Sequence, residues 1–258
     1  MVIFIKNLAE VMCYDVAYLT RKIEYYEKRF GASYGDVPFA PMYHSNGFDH
    51  LDIPVITNEE PKLIQLFSWG LIPAWVKDVD KANSIRNATL NARDNTLFEK
   101  PAFKKAAASN RCLVLVDGFY DHHWKDNHSY PFFIQAKTGE AMALGGIWET
   151  WQLDDITRHT VSIVTTDPNP RLAWIHNRPK ASEGPRMPFV LREECYQDWL
   201  DVSLMPTEVL SLIQPYPQEL LKDYPVDRLR GKSYPGNVPK IMQPHQYQEL
   251  DTRQGSLF

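Results

Sequence analysis

Cysteine is scarce in this chain. Its 258 residues contain three, Cys13, Cys112 and Cys195, far apart and odd in number, with no CxxC pair. That spacing argues against a zinc site or a redox dithiol, so no metal and no cofactor is expected; a sparse, odd set also fits a reducing compartment. Long apolar runs are missing too. The opening MVIFIKNLAEVM has an apolar patch of four residues and then charge, too short for the apolar region of a signal peptide. No run approaches the length of a membrane span, which points to a cytoplasmic protein with no membrane partner. Positive charge is not in excess either. A net charge of −4 and a pI of about 6.1 exclude a uniformly basic nucleic-acid binder but leave room for a local basic groove. Neither a repeat nor a low-complexity linker breaks the sequence. Hydrophobic residues at 44% and charged residues at 23% are an ordinary globular balance, and the length suits one large domain or two small ones. Aromatic residues are plentiful.

The pattern along the chain predicts many strands and a few separate helices. AYLTRKIEYYEKRFG (17–31) has helical spacing and stops at Gly31. Residues 36–60 are rich in Pro, Gly, His and Asp and read as loop with a short strand at PVIT. KLIQLFSWGLIPAWV is a strand that breaks at Gly70 and Pro73, and residues 79–109 are loop followed by a helix around PAFKKAAAS. RCLVLVDGFYDHHW is a buried strand entering a turn at Asp117–Gly118. YPFFIQA and EAMALGGIWETW are expected to form a hairpin about Thr138–Gly139. HTVSIVTTD is a further strand, and PFVLREECYQDWLD runs from strand into helix. The sum is α+β with mostly antiparallel pairing. The polar, Pro-rich tail from about residue 231 is expected to drape or to be flexible.

Four short stretches can carry chemistry. WGLIPAW (69–75) holds two tryptophans around a Gly and a Pro: a core corner, or a ledge for a nucleobase. NARDN (91–95) sets Asn91 two residues from Arg93, whose forked donors suit a phosphate, although such pairs are common on surfaces. DGFYDHHW places Asp121 beyond a buried strand, where a carboxylate can move a proton or simply cap a turn. The neighbouring His122 and His123 have no partner at zinc-ligand spacing. IHNRPKASEGPRMP offers His176 as an acid or base near neutral pH, or as a structural histidine. Upstream, Met12 directly precedes Cys13, so removal of Met12 would leave a free amine and a free thiol on one residue. A cluster of Arg86, Arg93, Lys100, Lys104, Lys105 and Arg111 supplies local positive charge mid-chain, or a solvated helix face.

Taken in order, a Cys behind an internal Met, WGLIPAW, NAR followed by KPAF, DGFY and IH…RMP resemble the SOS-response-associated peptidase family over residues 12–230. That family crosslinks covalently to abasic sites in single-stranded DNA. The resemblance implies a single α+β domain whose curved, mostly antiparallel sheets form a barrel-like core with flanking helices. Residues 1–11 are then an extension, a misassigned start or a propeptide (the former is favoured), and 231–258 a polar tail. It implies catalytic roles for Cys13, Asn91, Asp121 and His176, and DNA contacts by Trp69, Pro73, Trp75, Arg93, His122 and Arg186. The chain departs from the family pattern at Tyr14-Asp15, where Gly-Arg is usual, and at MYHSNGF, where Asn-x-Ala-Pro is usual. Asp121 stands where the family has Glu, His122 replaces a common Trp, and Arg178–Pro185 is an insert.

The implied chemistry is that of an aminothiol with an aldehyde. The Cys13 amine would form a Schiff base with the opened sugar, and its thiol would close a thiazolidine. Asp121 would assist proton transfers, His176 would protonate the sugar ring oxygen, and Asn91 would fix the opened sugar. The expected setting is a bacterial, cytoplasmic, SOS-linked monomer with protease, hydrolase and lyase-type activity. RQGSLF at the C-terminus resembles a sliding-clamp docking peptide anchored by Gln254, Leu257 and Phe258. Two alternatives stand beside this: a cysteine peptidase or amidase using Cys13 with His176, and a non-catalytic DNA-binding module.

Overall fold

The structure, a computed structural model, describes residues 14–36, 38–178 and 184–250. The chain enters with β1 (Asp15–Tyr18), α1 (Ile23–Phe30), β2 (Ser33–Tyr34), β3 (Met42–Asn46), β4 (Asp52–Thr57) and β5 (Leu63–Trp69). Helix α2 (Val79–Arg86), β6 (Asn91–Arg93) and α3 (Lys104–Ser109) follow. A run of strands comes next: β7 (Arg111–Val116), β8 (Gly118–Lys125), β9 (His128–Ala136), β10 (Met142–Leu153) and β11 (Ile156–Thr166). After α4 (Pro170–Ile175) lie β12 (Met187–Pro188), β13 (Val190–Leu191), α5 (Tyr196–Leu200), α6 (Pro206–Leu212) and β14 (Leu221–Pro225).

Five of these strands close a barrel. β11, β10, β7, β4 and β5 pair antiparallel in that order, and parallel pairing of β5 with β11, Trp69 opposite Val161, shuts the ring. Closure removes the exposed edges that an open sheet would present. The second sheet runs β14-β9-β8-β1-β3 and is antiparallel throughout. The unbroken apolar run CLVLV is explained by β7, which is buried along its whole length. One hydrophobic cluster spans the structure, from Val114 and Val161 in the barrel to Val16, Phe119 and Phe132 in the second sheet. The fold is thus one α+β domain with a barrel core, as expected.

Helix α1 ends where the sequence says it must. Gly31 takes the left-handed conformation at φ 62°, and its N–H caps the carbonyl of Glu27. Gly70, at φ 105°, turns the chain sharply at the end of β5.

Several local expectations are corrected. β9 and β10 do not form a hairpin: β9 lies in the second sheet between β8 and β14, and β10 lies in the barrel. The turn at Thr138–Gly139 therefore passes the chain between sheets. Asp117–Gly118 is not a reversal but a short crossing from β7 to β8, because Asp117 N–H bonds the Ala17 carbonyl at 2.7 Å and its carboxylate accepts from Thr20 and Tyr26. The stretch 36–60 contains β3 as well as β4, and 79–109 contains α2, capped by the Asp78 side chain. The tail as far as Leu250 drapes over the second sheet, with Ile241 buried against Ala17, Tyr120 and Phe133. The clamp-like Gln254, Leu257 and Phe258 lie outside the described residues, as does Cys13.

Candidate active site

β8 and the end of α4 meet over a cleft of about 220 Å³. Asp121, on β8, places Oδ2 2.9 Å from Nδ1 of His176. Its Oδ1 accepts the backbone N–H of His122 at 2.7 Å, which fixes the carboxylate plane. His176 directly follows α4 and donates its N–H to the Leu172 carbonyl at 2.7 Å. That short helix is held by Pro170 in its first turn and by the Asn169 side chain, which accepts from Leu172 N–H. Asp121 and His176 are both buried and both line the cleft. With the carboxylate accepting at Nδ1, Nε2 is the nitrogen that takes or gives a proton.

Tyr14 lines the same cleft. Its carbonyl accepts Gly47 N–H at 2.7 Å. Gly47 leaves no spare room: a Cβ there would sit 3.3 Å from Leu90 and from the Trp69 ring. Trp69 Nε1 in turn donates to the Leu90 carbonyl at 2.9 Å, and Asn91 is the next residue. β6 runs parallel to β11, with Asn91 opposite Ile163, and Asn91 is buried. Trp69, Leu90 and Gly47 thus form a packed cluster between Asn91 and Tyr14.

Asp15 also lines the cleft. It is buried and accepts from His44 Nε2 at 2.9 Å, Asn46 Nδ2 at 2.6 Å and Arg230 at 3.2 Å. Burial works to raise its pKa, but the His44 hydrogen bond and the charges of His44, Arg230 and His122 bring it below the ordinary value. His44 is itself fixed by the Tyr234 hydroxyl at 2.8 Å. His122 lines the cleft, and its pKa is depressed by burial, with Arg230 and His44 acting in the same direction against Asp15 and Asp121.

Residues 12–233 match the family described as SOS response associated peptidase (SRAP). The chain belongs to this family. Over 182 residues it is 34% identical to the abasic site processing protein YoqW of Bacillus subtilis, a match covering 69% of this chain and 75% of that one. The abasic site processing protein HMCES of Xenopus tropicalis is 28% identical over 203 residues, covering 70% of this chain and 57% of that one. A crystal structure of a Bacteroides thetaiotaomicron protein superposes with a TM-score of 0.81 at 31% identity, covering 91% of this chain and all of the other.

The SRAP residues expected at the site separate into groups. Asp121, His176 and His122 share the cleft. Asn91 is buried and does not line the cleft; it is tied to cleft-lining Tyr14 through the packing of Leu90, Trp69 and Gly47. Arg93 is half-buried two residues on, and burial, followed by the neighbouring Arg186 charge, lowers its pKa; Tyr14 and Asp94 act oppositely. Arg186 is buried and bonds Asp94, Asp167 and the Thr165 carbonyl, so its guanidinium serves the fold in this conformation. Trp69 is fully buried and presents no face to a base, and Pro73 is buried as well. Trp75 is half exposed, with the Lys81 ammonium 5.3 Å from its ring centroid.

Two members of the expected mid-chain basic patch are taken up by the fold, while Lys100, Lys104 and Lys105 are exposed. Arg111 is buried and its guanidinium serves the carbonyls of Ala107, Trp199 and Asp201, which ties α3 to α5. Arg86 is buried under Ser68 and the Trp69 carbonyl. Sequence reasoning passed over the charges that do line the cleft: Asp15, Arg178, Arg228 and Arg230. The one signal available was Arg-Leu-Arg at 228–230. Cys112 is buried and burial pushes its thiol pKa well up, so it is a poor nucleophile.

Proposed function

We propose that this protein captures abasic sites in single-stranded DNA through a free N-terminal Cys13. The observation that carries this is the buried Asp121–His176 pair, 2.9 Å apart, opening on a cleft that is lined by the residue following Cys13. The family membership and the relatives named abasic site processing proteins support it.

The opened abasic sugar carries an aldehyde. The Cys13 amine adds to that carbon, a proton moves from nitrogen to oxygen, and water leaves to give an imine. The thiol then adds to the imine carbon and its proton passes to nitrogen, closing a five-membered thiazolidine with net loss of one water. An α-amine of pKa ~7.7–8.0 is substantially neutral at physiological pH, unlike a lysine near ~10.4. Holding amine and thiol on one residue replaces a second encounter by ring closure. His176, oriented by Asp121, relays the protons, opening the sugar ring and carrying the hydroxyl off as water. Asn91 and Arg93 hold the sugar and its phosphate. Serine at position 13 would form the imine but a less stable ring, and an internal cysteine would form neither.

A second activity follows from the same pair. A buried carboxylate–imidazole dyad working with the Cys13 thiol would also hydrolyse the Met12–Cys13 bond, which would expose the amine and account for the word peptidase. Action in the SOS response and docking on a sliding clamp through Gln254, Leu257 and Phe258 complete the proposal.

The test is a denaturing gel. A chain beginning at Cys13 is incubated with single-stranded DNA bearing one abasic site. A heat-stable shift is expected, absent with undamaged DNA; turnover of a peptide without any shift would favour the hydrolase alternative.

A further inference from the structure

The last turn of chain before the tail carries two arginines into the reaction cleft. Arg228 and Arg230 line it together with Arg178, facing Asp15 and Asp121. Three arginines against two aspartates give this cleft a positive bias in a chain whose total is −4. Neither arginine of the pair is a loose surface cation. The Arg228 guanidinium lies 5.2 Å from the Tyr130 ring centroid and 5.2 Å from that of Tyr247, and donates to the Ser129 carbonyl. Arg230 is anchored on one side by Asp15 at 3.2 Å, yet its side chain is 54% exposed. Leu229, between them, is buried with Val226 and Ile241 and pins the backbone.

The tail contributes to this anchoring through Tyr247. The family match ends at residue 233, but the chain continues to pack against the domain. Tyr234 bonds His44, Val226 pairs with Pro244, and Tyr247 donates to the Val226 carbonyl at 2.8 Å while stacking edge-on against Tyr130. A strap beyond the family region therefore packs one face of Arg228 directly and, through Tyr234 and His44, buttresses the Asp15 that holds Arg230; both arginines line the cleft with the Asp121–His176 pair. Preorganised guanidinium groups lose little freedom on binding and match the oxygens of a phosphate.

Resting on the capture chemistry proposed above, we infer that Arg228 and Arg230 form a phosphate-binding wall that grips the DNA backbone beside the abasic sugar. They are positioning residues: they raise the local concentration of lesion at the Cys13 amine and take no part in bond making.

Two readouts test this on the full chain beginning at Cys13. The first is equilibrium binding, by fluorescence anisotropy against salt, to single-stranded DNA carrying a tetrahydrofuran abasic analogue, which has no aldehyde to react. The double variant Arg228→Gln/Arg230→Gln is expected to bind about tenfold more weakly at low salt. Its slope of log affinity on log salt should flatten by about 1.4, since each single-strand phosphate left without its arginine removes ~0.7. Unchanged slope and affinity would overturn the inference. The second uses unmodified protein and DNA whose phosphates flanking the analogue are methylphosphonates. The same weakening is expected without any change to the fold, and equal affinity for charged and neutral linkages would overturn the inference. Failure of the capture chemistry shows separately, as absence of crosslinking to true abasic DNA while the salt slopes still differ.

Discussion

Asp121 and His176, 55 positions apart in sequence, are joined by a 2.9 Å hydrogen bond in the wall of one cleft. β8 fixes the carboxylate and the end of α4 fixes the imidazole, so the pair behaves as one unit. Asp121→Asn keeps the shape and removes the charge that orients Nδ1–H. Single-turnover crosslinking should slow by about 10²- to 10⁴-fold, the usual range for loss of general acid–base help. His176→Ala should do the same, and the double variant should cost little more than either single one. Additive losses in such a double-mutant cycle would break the pair into two independent roles.

Gly118 opens β8 at a point of close approach. A Cβ there would come within 2.3 Å of the Phe133 ring and 2.6 Å of the Ile134 carbonyl. Gly118→Ala is expected to destabilise by about 1–3 kcal/mol through overpacking, read as a lower urea midpoint at unchanged slope. Because β8 also carries Asp121, crosslinking should slow as well, whereas Gly139→Ala, on an open turn with φ 76°, should change stability and leave crosslinking alone.

Asp15 makes stability depend on pH. Its pKa is depressed in the folded chain, so its contribution is present above the unfolded value near ~3.9 and is lost as pH falls through the folded one. Asp15→Asn should therefore cost about 1.5–3 kcal/mol at neutral pH, the scale of a charge-assisted hydrogen bond. The gap from wild type should shrink steadily from ~pH 5 to ~pH 2. Urea unfolding across that range checks it; a gap that widened on acidification would reverse the sign of the shift.

The other cysteines should be bystanders. Cys112 is fully buried with a raised thiol pKa, and the Cys195 thiol is likewise pushed up, by burial first and then by Glu194 and Asp198. Under native conditions a maleimide should leave Cys112 unlabelled. Cys112→Ala should lower stability and retain crosslinking; loss of trapping in a folded Cys112→Ala chain would move the nucleophile away from Cys13.

Much of this was legible in the sequence, for local reasons. The stop of α1 at Gly31, the break of β5 at Gly70 and the buried β7 each depend on backbone freedom or hydrophobic pattern within a few residues. The choice of partner strand was not legible. Asp126 and Asn127, both at positive φ, make the true hairpin between β8 and β9, and Asp154 makes that between β10 and β11. Thr138–Gly139, expected to close a hairpin, joins strands of different sheets. Barrel closure by β5 and β11 joins segments far apart in sequence and has no local signature. At the site, Asp121 and His176 are each weak signals taken singly, and only the family resemblance marks both as catalytic. Their pairing arises only where β8 passes α4. Trp69 and Arg111 carried aromatic and basic signals but are spent on the core, since pattern alone does not tell an inward Trp or Arg from an exposed one.

The chemistry of position 13 is tested most directly by comparing two chains that differ only at that nitrogen. One begins at Cys13 with a free amine; the other is the same chain with its N-terminus acetylated. Each is mixed with single-stranded DNA carrying one abasic site, and the products are resolved by denaturing gel and intact mass. The free chain should give a heat-stable product at the summed mass of protein and strand less one water, and the blocked chain should give none. Equal trapping by the acetylated chain would contradict the account.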